Sequence, residues 1–188
     1  MFATYRYQRS RWIGADRLDC PCVFRWSLSL LSSSVWLEVI AGIPPARLLA
    51  KERFLLARGA DRRDVLRGTR TEWQQSWLSA ARAAWTRRLI PDLEKWLDRP
   101  HGEINTYVCQ MLSGHGSFRA HLQRLGASET DKCVYCFERD TVEHALFSCG
   151  RFTWRRAVLE RKMGSSFAPE VVVDMMCRDV DGWNEVCT

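Results

Sequence analysis

A mainly α-helical fold is what this 188-residue sequence predicts, on three observations. Apolar residues recur at three- and four-residue steps through the middle of the chain, which is the spacing that lines one face of a helix. Prolines and glycines bound these stretches where helices start and stop. Hydrophobic residues make up 46% of the chain, with nine tryptophans, enough to build a core rather than a disordered coil. Most of the tryptophans are expected to pack between helices, since indole is large and mostly buried.

The elements follow in order. Residues 1–38 hold Cys20, Pro21, Cys22 and the run SLSLLSSS, with no sustained period. They are expected to be a poorly ordered leader, or sequence unrelated to the fold. Residues 39–128 form the helical region. Pro44 and Pro45 suit the first turn of a helix ending near Gly59, with Leu48, Leu49, Phe54, Leu55 and Leu56 on its apolar side. A single helix is expected over 61–90, with Trp73, Trp77, Ala81, Ala84, Trp85 and Leu89 on one face. Pro91 interrupts it, and a further turn or two carries Trp96. Two short helices are expected over 104–112 and 117–125, split by the glycines of SGHGS. His101 and His115 read as loop histidines bonded to backbone, and His121 as a residue on a helix surface.

Residues 129–163 carry the sharpest local signal, KCVYCFERDTVEHALFSC. Its spacing is C-x2-C-x7-H-x4-C. Two thiolates from a tight Cys-x2-Cys turn can converge with a histidine and a cysteine from the next element on one tetrahedral ion. The expected ligands are Cys133, Cys136, His144 and Cys149, the ion is Zn2+, and the unit is a CCHC zinc knuckle. With four protein ligands the site would be structural rather than catalytic. The alternative is free or disulfide-bonded cysteines that merely lie close. Asp140 is expected to cap the ligand-bearing helix, with Glu143 at the reciprocal position of a capping box. A basic helix follows over 151–162, and the tail over 164–188 holds one apolar run, Val171–Met176, suited to a short helix or strand. Cys109, Cys177 and Cys187 read as isolated thiols.

Charge narrows the partner class. The chain is formally +6, made of +2 over 1–38, +6 over 39–100, −2 over 101–150 and 0 over 151–188. A basic protein fits a nucleic-acid partner, although many basic proteins only have a charged solvated face. Phosphate contacts are expected from Arg82, Arg87 and Arg88 before the knuckle and from Arg151, Arg155, Arg156, Arg161 and Lys162 after it. Tyr135 and Phe137 flank Cys136, where they either stack on unpaired bases or cover the metal. Three thiolates on Zn2+ leave the knuckle itself at −1, so it is not the electrostatic attractant.

The start, MFATYRYQRSRW, is polar and basic with no apolar run behind it, unlike a signal peptide. The apolar stretch from Val35 to Leu49 contains Glu38, Pro44, Pro45 and Arg47 and cannot span a bilayer. The chain is therefore expected to be intracellular, nuclear or cytoplasmic, with no membrane partner and reduced cysteines.

Several blocks occur in a fixed order: IAGIPPARLLAKER, TEWQQSW, WTRRLIPDLEKWLDRPHGEIN, QMLSGHGSFRAHLQRLG and CVYCFERDTVEHALFSC. Over roughly residues 40–160, this ordered set resembles the C-terminal region of insect non-LTR retrotransposon polyproteins. These are LINE-like reverse transcriptases, including lineages that insert in ribosomal DNA. The resemblance implies a segment downstream of the polymerase domain, whose Cys–His motif engages element RNA or target DNA during target-primed reverse transcription. It also implies the polymerase domain as a partner.

A polymerase needs paired aspartates on a hairpin turn to hold two metal ions. Asp61 with Asp64, and Asp179 with Asp181, lie in other contexts. No catalytic residue is assigned, and the chain is expected not to be an enzyme by itself. Three roles stand open from sequence: a nucleic-acid-binding module, a structural module whose zinc clips helices docked on the polymerase, and a degenerate fragment without selected function.

Overall fold

The computed structural model describes residues 35–187. Helices dominate, and strand pairing among the described residues is confined to the isolated bridge between Lys132 and Arg139. The order is α1 (Val35–Ala41), α2 (Ala46–Ala57), α3 (Arg62–Ser79), α4 (Ala84–Leu89), α5 (Leu93–Asp98), α6 (Thr106–Ser113) and α7 (Arg119–Arg124). A metal-ligand loop follows, then a π-helical turn (His144–Ser148), a 3-10 turn (Gly150–Phe152), α8 (Thr153–Met163), α9 (Pro169–Arg178) and α10 (Val180–Cys187). Among the described residues no helix is long and apolar enough to cross a membrane. The leader expected over 1–38, with Cys20 and Cys22, lies outside the described residues up to position 34. Its last residues begin α1, whose Val39 and Ile40 are buried.

Local signals explain most helix ends. The Asp61 carboxylate accepts from the amides of Arg63 and Asp64 and starts α3. Asp92 does the same for α5 through Glu94 and Lys95, and Asn105 for α6 through Val108. Gly114 (φ 70°) and Gly164 (φ 65°) close α6 and α8 in the left-handed conformation.

The one long helix expected over 61–90 is in fact two. Helix α3 stops at Ser79, and α4 restarts after Ala83, a non-glycine residue at φ 70°. Tertiary hydrogen bonding outweighs the continuous pattern here. The reversal lets Trp77 Nε1 donate to the Ile90 carbonyl (2.7 Å) and Trp85 Nε1 to the Met111 carbonyl (2.8 Å). Arg87 caps the break by donating to the carbonyls of Ala80 and Arg82. Trp73, Trp77 and Leu89 are buried as the pattern requires, whereas Ala81 and Ala84 are exposed.

The core joins Trp73, Trp77, Leu89, Ile90 and Trp96 to Leu112 of α6 and to Val172, Met176 and Trp183 of the tail. The tail therefore supplies part of the core, with its apolar run helical as α9. Trp96 Nε1 donates to the Val39 carbonyl (2.9 Å), tying α5 to α1. Arg99 is buried with its guanidinium 3.5 Å from the Trp96 ring centroid and 5.3 Å from that of Trp183. Burial pulls its pKa down to about 10, which still leaves it a cation at neutral pH. His101 bonds the Met176 carbonyl at 2.8 Å.

The expectation for His121 is corrected. It is buried, 5% exposed, with its ring 4.9 Å from that of His115, which in turn stacks on Trp36 at 5.1 Å. Helix α7 has only six residues, too short for an outward face to be read from its sequence. Burial, then the neighbouring His115 and Arg124, pull the His121 pKa down to about 4 from an ordinary 6.5.

Two predictions follow from this packing. At Gly102 (φ 86°) a Cβ would lie 2.3 Å from the Trp183 ring, so Gly102→Ala is expected to cost about 2 kcal/mol or more in urea unfolding. His121 binds a proton more readily unfolded than folded. Its contribution to stability is therefore complete above pH 6.5 and is lost as pH falls toward 4. Between pH 7 and 5 the wild type should lose on the order of 1–2 kcal/mol more than His121→Gln, measured as the difference between their unfolding midpoints.

Candidate metal centre

The ligand loop is built by backbone pairing. Lys132 and Arg139 form the bridge, the Cys133 amide donates to the Glu138 carbonyl (2.7 Å), and the Phe137 amide returns to the Cys133 carbonyl (3.0 Å). This folds Cys133–Cys136 into a turn with both sulfurs facing inward. Phe137 completes the turn at φ 62°, a left-handed conformation that costs a side chain about 1 kcal/mol or more.

His144 and Cys149 arrive from the π-helical turn. Residues five apart on an α-helix sit about 140° apart around its axis. An ordinary helix would therefore aim these two ligands apart. The wider turn, closed by the Cys149 amide on the His144 carbonyl at 2.7 Å, returns Cys149 to the ligand side. The cap differs from the one expected. The Thr141 hydroxyl accepts from the His144 amide (3.1 Å), while the Asp140 carboxylate accepts from the Arg119 amide (2.9 Å) at the start of α7. Glu143 does not close a box but pairs with Arg88 at 2.6 Å. The shift has a simple cause: Asp140 also accepts from Ala120 through its carbonyl, so α7 has claimed it.

The four donor atoms of Cys133, Cys136, His144 and Cys149 all lie within 4.8 Å of one another. The closer pairs are Cys136 Sγ to His144 Nε2 at 3.1 Å and Cys133 Sγ to Cys149 Sγ at 3.9 Å. A tetrahedral ion with metal–sulfur bonds of about 2.3 Å separates its sulfurs by about 3.7 Å, so the set fits one metal ion. The Sγ–Sγ distance is far too long for a disulfide. Backbone amides of Tyr135 and Cys136 directed at Cys133 hold its thiol well below the ordinary range, at about 6, which favours the thiolate a metal needs. Cys133 and Cys149 are buried, and Cys136 and His144 half-buried.

The side chains expected to meet nucleic acid divide into two groups. Four have hydrogen-bonding or ion-pair partners within the chain. Arg87 bonds the carbonyls of the α3–α4 break, and Arg88 bridges Glu143 and Glu170. Arg156 donates to the Cys149 carbonyl at 2.8 Å, and Lys162 holds Glu185 of α10 at 2.7 Å. The others are exposed: Arg82 between α3 and α4, Arg151, Arg155 and Arg161 along α8 and its lead-in, and Tyr135 and Phe137 on the ligand turn. Trp154, 64% exposed, was missed from sequence. It stands in the first turn of α8.

The chain is 31% identical over 81 residues to the Retrovirus-related Pol polyprotein from type-1 retrotransposable element R1 2 of Nasonia vitripennis, covering 43% of this chain and 20% of that protein. It is 28% identical over 116 residues to the R1 4 polyprotein of the same wasp, covering 58% of this chain and 28% of that protein. This chain carries a stretch similar to a non-LTR retrotransposon polyprotein region. It spans less than a third of the length of either relative. No family model and no solved structure matches.

The metal is expected to hold the loop together. Chelation of the purified chain should release about one ion per chain and lower the far-ultraviolet helix signal. Cys149→Ser should abolish the stoichiometric metal and reproduce that loss. Unchanged helicity and melting after complete chelation would show that the cluster folds without an ion.

Proposed function

We propose that this chain is a zinc-binding, nucleic-acid-binding C-terminal module of a non-LTR retrotransposon reverse transcriptase polyprotein, acting apart from the polymerase domain. It is intracellular, and it is not an enzyme on its own. The ion is Zn2+, because a Cys3His set with thiolate character is the donor chemistry zinc takes in closed structural sites. Zinc supplies folding free energy there and leaves the chemistry of binding to neighbouring side chains.

One observation carries the reading. Arg156 fastens α8 to the last ligand residue through the Cys149 carbonyl, so the metal loop and the basic helix form one unit. The exposed guanidinium groups of Arg151, Arg155 and Arg161 are presented from that unit. Such groups suit phosphates and give binding that weakens steeply with salt. Similarity to polyproteins of type-1 retrotransposable elements supports the same partner class.

A second reading has its own support. Arg88 spans from the metal-helix residue Glu143 to Glu170 of α9, and Phe147 stacks on Phe167 at 5.0 Å. These contacts suit a clip that fixes helices for docking on the polymerase domain.

The two readings separate in a titration of the zinc-loaded chain with single-stranded RNA at two salt concentrations. The nucleic-acid reading expects binding at low salt, with the slope of log affinity against log salt reduced by roughly 0.7 in Arg155→Gln. Arg156→Gln should instead weaken metal retention. Absence of binding at low salt would leave the clip as the function.

A further inference from the structure

Tyr135, Arg151, Trp154 and Arg155 form a mixed surface that neither the metal site nor the core uses. The Arg151 guanidinium carbon lies 4.3 Å from the Tyr135 ring centroid and 5.0 Å from that of Phe152. The Arg155 guanidinium lies 5.5 Å from the Trp154 ring centroid. Arg151, in the 3-10 turn, precedes Trp154 and Arg155, in the first turn of α8, by three and four positions, so the two ring–guanidinium pairs are neighbours along the chain. The rings are open: Tyr135 is 55% exposed, Phe137 75% and Trp154 64%. Exposing three large rings beside one metal loop carries a cost unless a ligand covers them. The charged groups seated over Tyr135 and Trp154 are cationic.

We infer that this surface binds unpaired bases, so that the ligand of the module is single-stranded nucleic acid rather than a duplex. The inference deepens the nucleic-acid reading given above and rests on it. A flat base can stack on Trp154 or Tyr135 or slide between a ring and its guanidinium partner, while Arg151 and Arg155 meet the flanking phosphates. A duplex hides its base faces and offers only phosphates, so the rings would gain nothing from it. Charge complementarity selects the occupant: an apolar protein partner would have to desolvate two guanidinium groups without compensation. Phe137 lies at the end of the Cys-x2-Cys turn, and an ion on the four ligands would tie that turn to the residues leading into α8.

The test is fluorescence anisotropy with the full zinc-loaded chain. One probe is a labelled oligouridylate of about 15 nucleotides, and the other a blunt RNA duplex of similar length. Trp154→Ala is expected to weaken oligouridylate binding about ten-fold or more while leaving duplex binding within about two-fold. Trp154→Phe should recover most of the loss, because an aromatic face suffices. Tyr135→Ala should repeat the selective loss, and each variant should keep its stoichiometric zinc as a check on folding. Unchanged oligouridylate affinity in both alanine variants, or equal losses on strand and duplex, would overturn the stacking surface while leaving phosphate binding intact. If the wild type binds neither probe at low salt, the nucleic-acid reading itself fails.

Discussion

The convergence of Cys133, Cys136, His144 and Cys149 is the constraint on which this structure turns. Three thiols whose sulfurs lie within 4.8 Å of one another cannot all ionise together unless a cation compensates them. The surrounding backbone shows what that convergence requires: a left-handed Phe137 and a π-helical turn in place of an α-helical one. Both depart from the locally preferred conformation, and one coordinated ion would offset them.

From this centre, ties run outward in several directions. Asp140 reaches α7 through Arg119 and Ala120, Glu143 reaches α4 through Arg88, and Cys149 reaches α8 through Arg156. Phe147 packs between Trp85 and Phe167, at 6.3 and 5.0 Å. The exposed ion pairs add little each, since solvent screens them. The buried aromatic contacts and the backbone-directed hydrogen bonds matter more. The consequence is positional: the loop is tied at once to α4, α7 and α8.

Much of this was legible in the sequence, and the misses are instructive. The ligand spacing identified the four residues that the fold brings together, because a short motif brings its own geometry. The helical class followed from the tryptophan steps and the proline and glycine boundaries. The break at Ala80–Ala83 was not legible, because nothing local forbids a helix through SAARAA; the hydrogen bonds of Trp77 and Trp85 to distant carbonyls decide it. His121 looked like a surface residue because six-residue helices carry too little pattern to orient. Arg88, Arg156 and Lys162 look like the other basic residues in sequence, and only the fold gives them partners in Glu143, Glu170, the Cys149 carbonyl and Glu185.

X-ray absorption at the zinc edge of the purified chain reads the donor set itself. One zinc with three sulfur neighbours at about 2.3 Å and one nitrogen at about 2.0 Å is expected. A metal-free protein of equal stability, or zinc bound chiefly by oxygen and nitrogen, would contradict it.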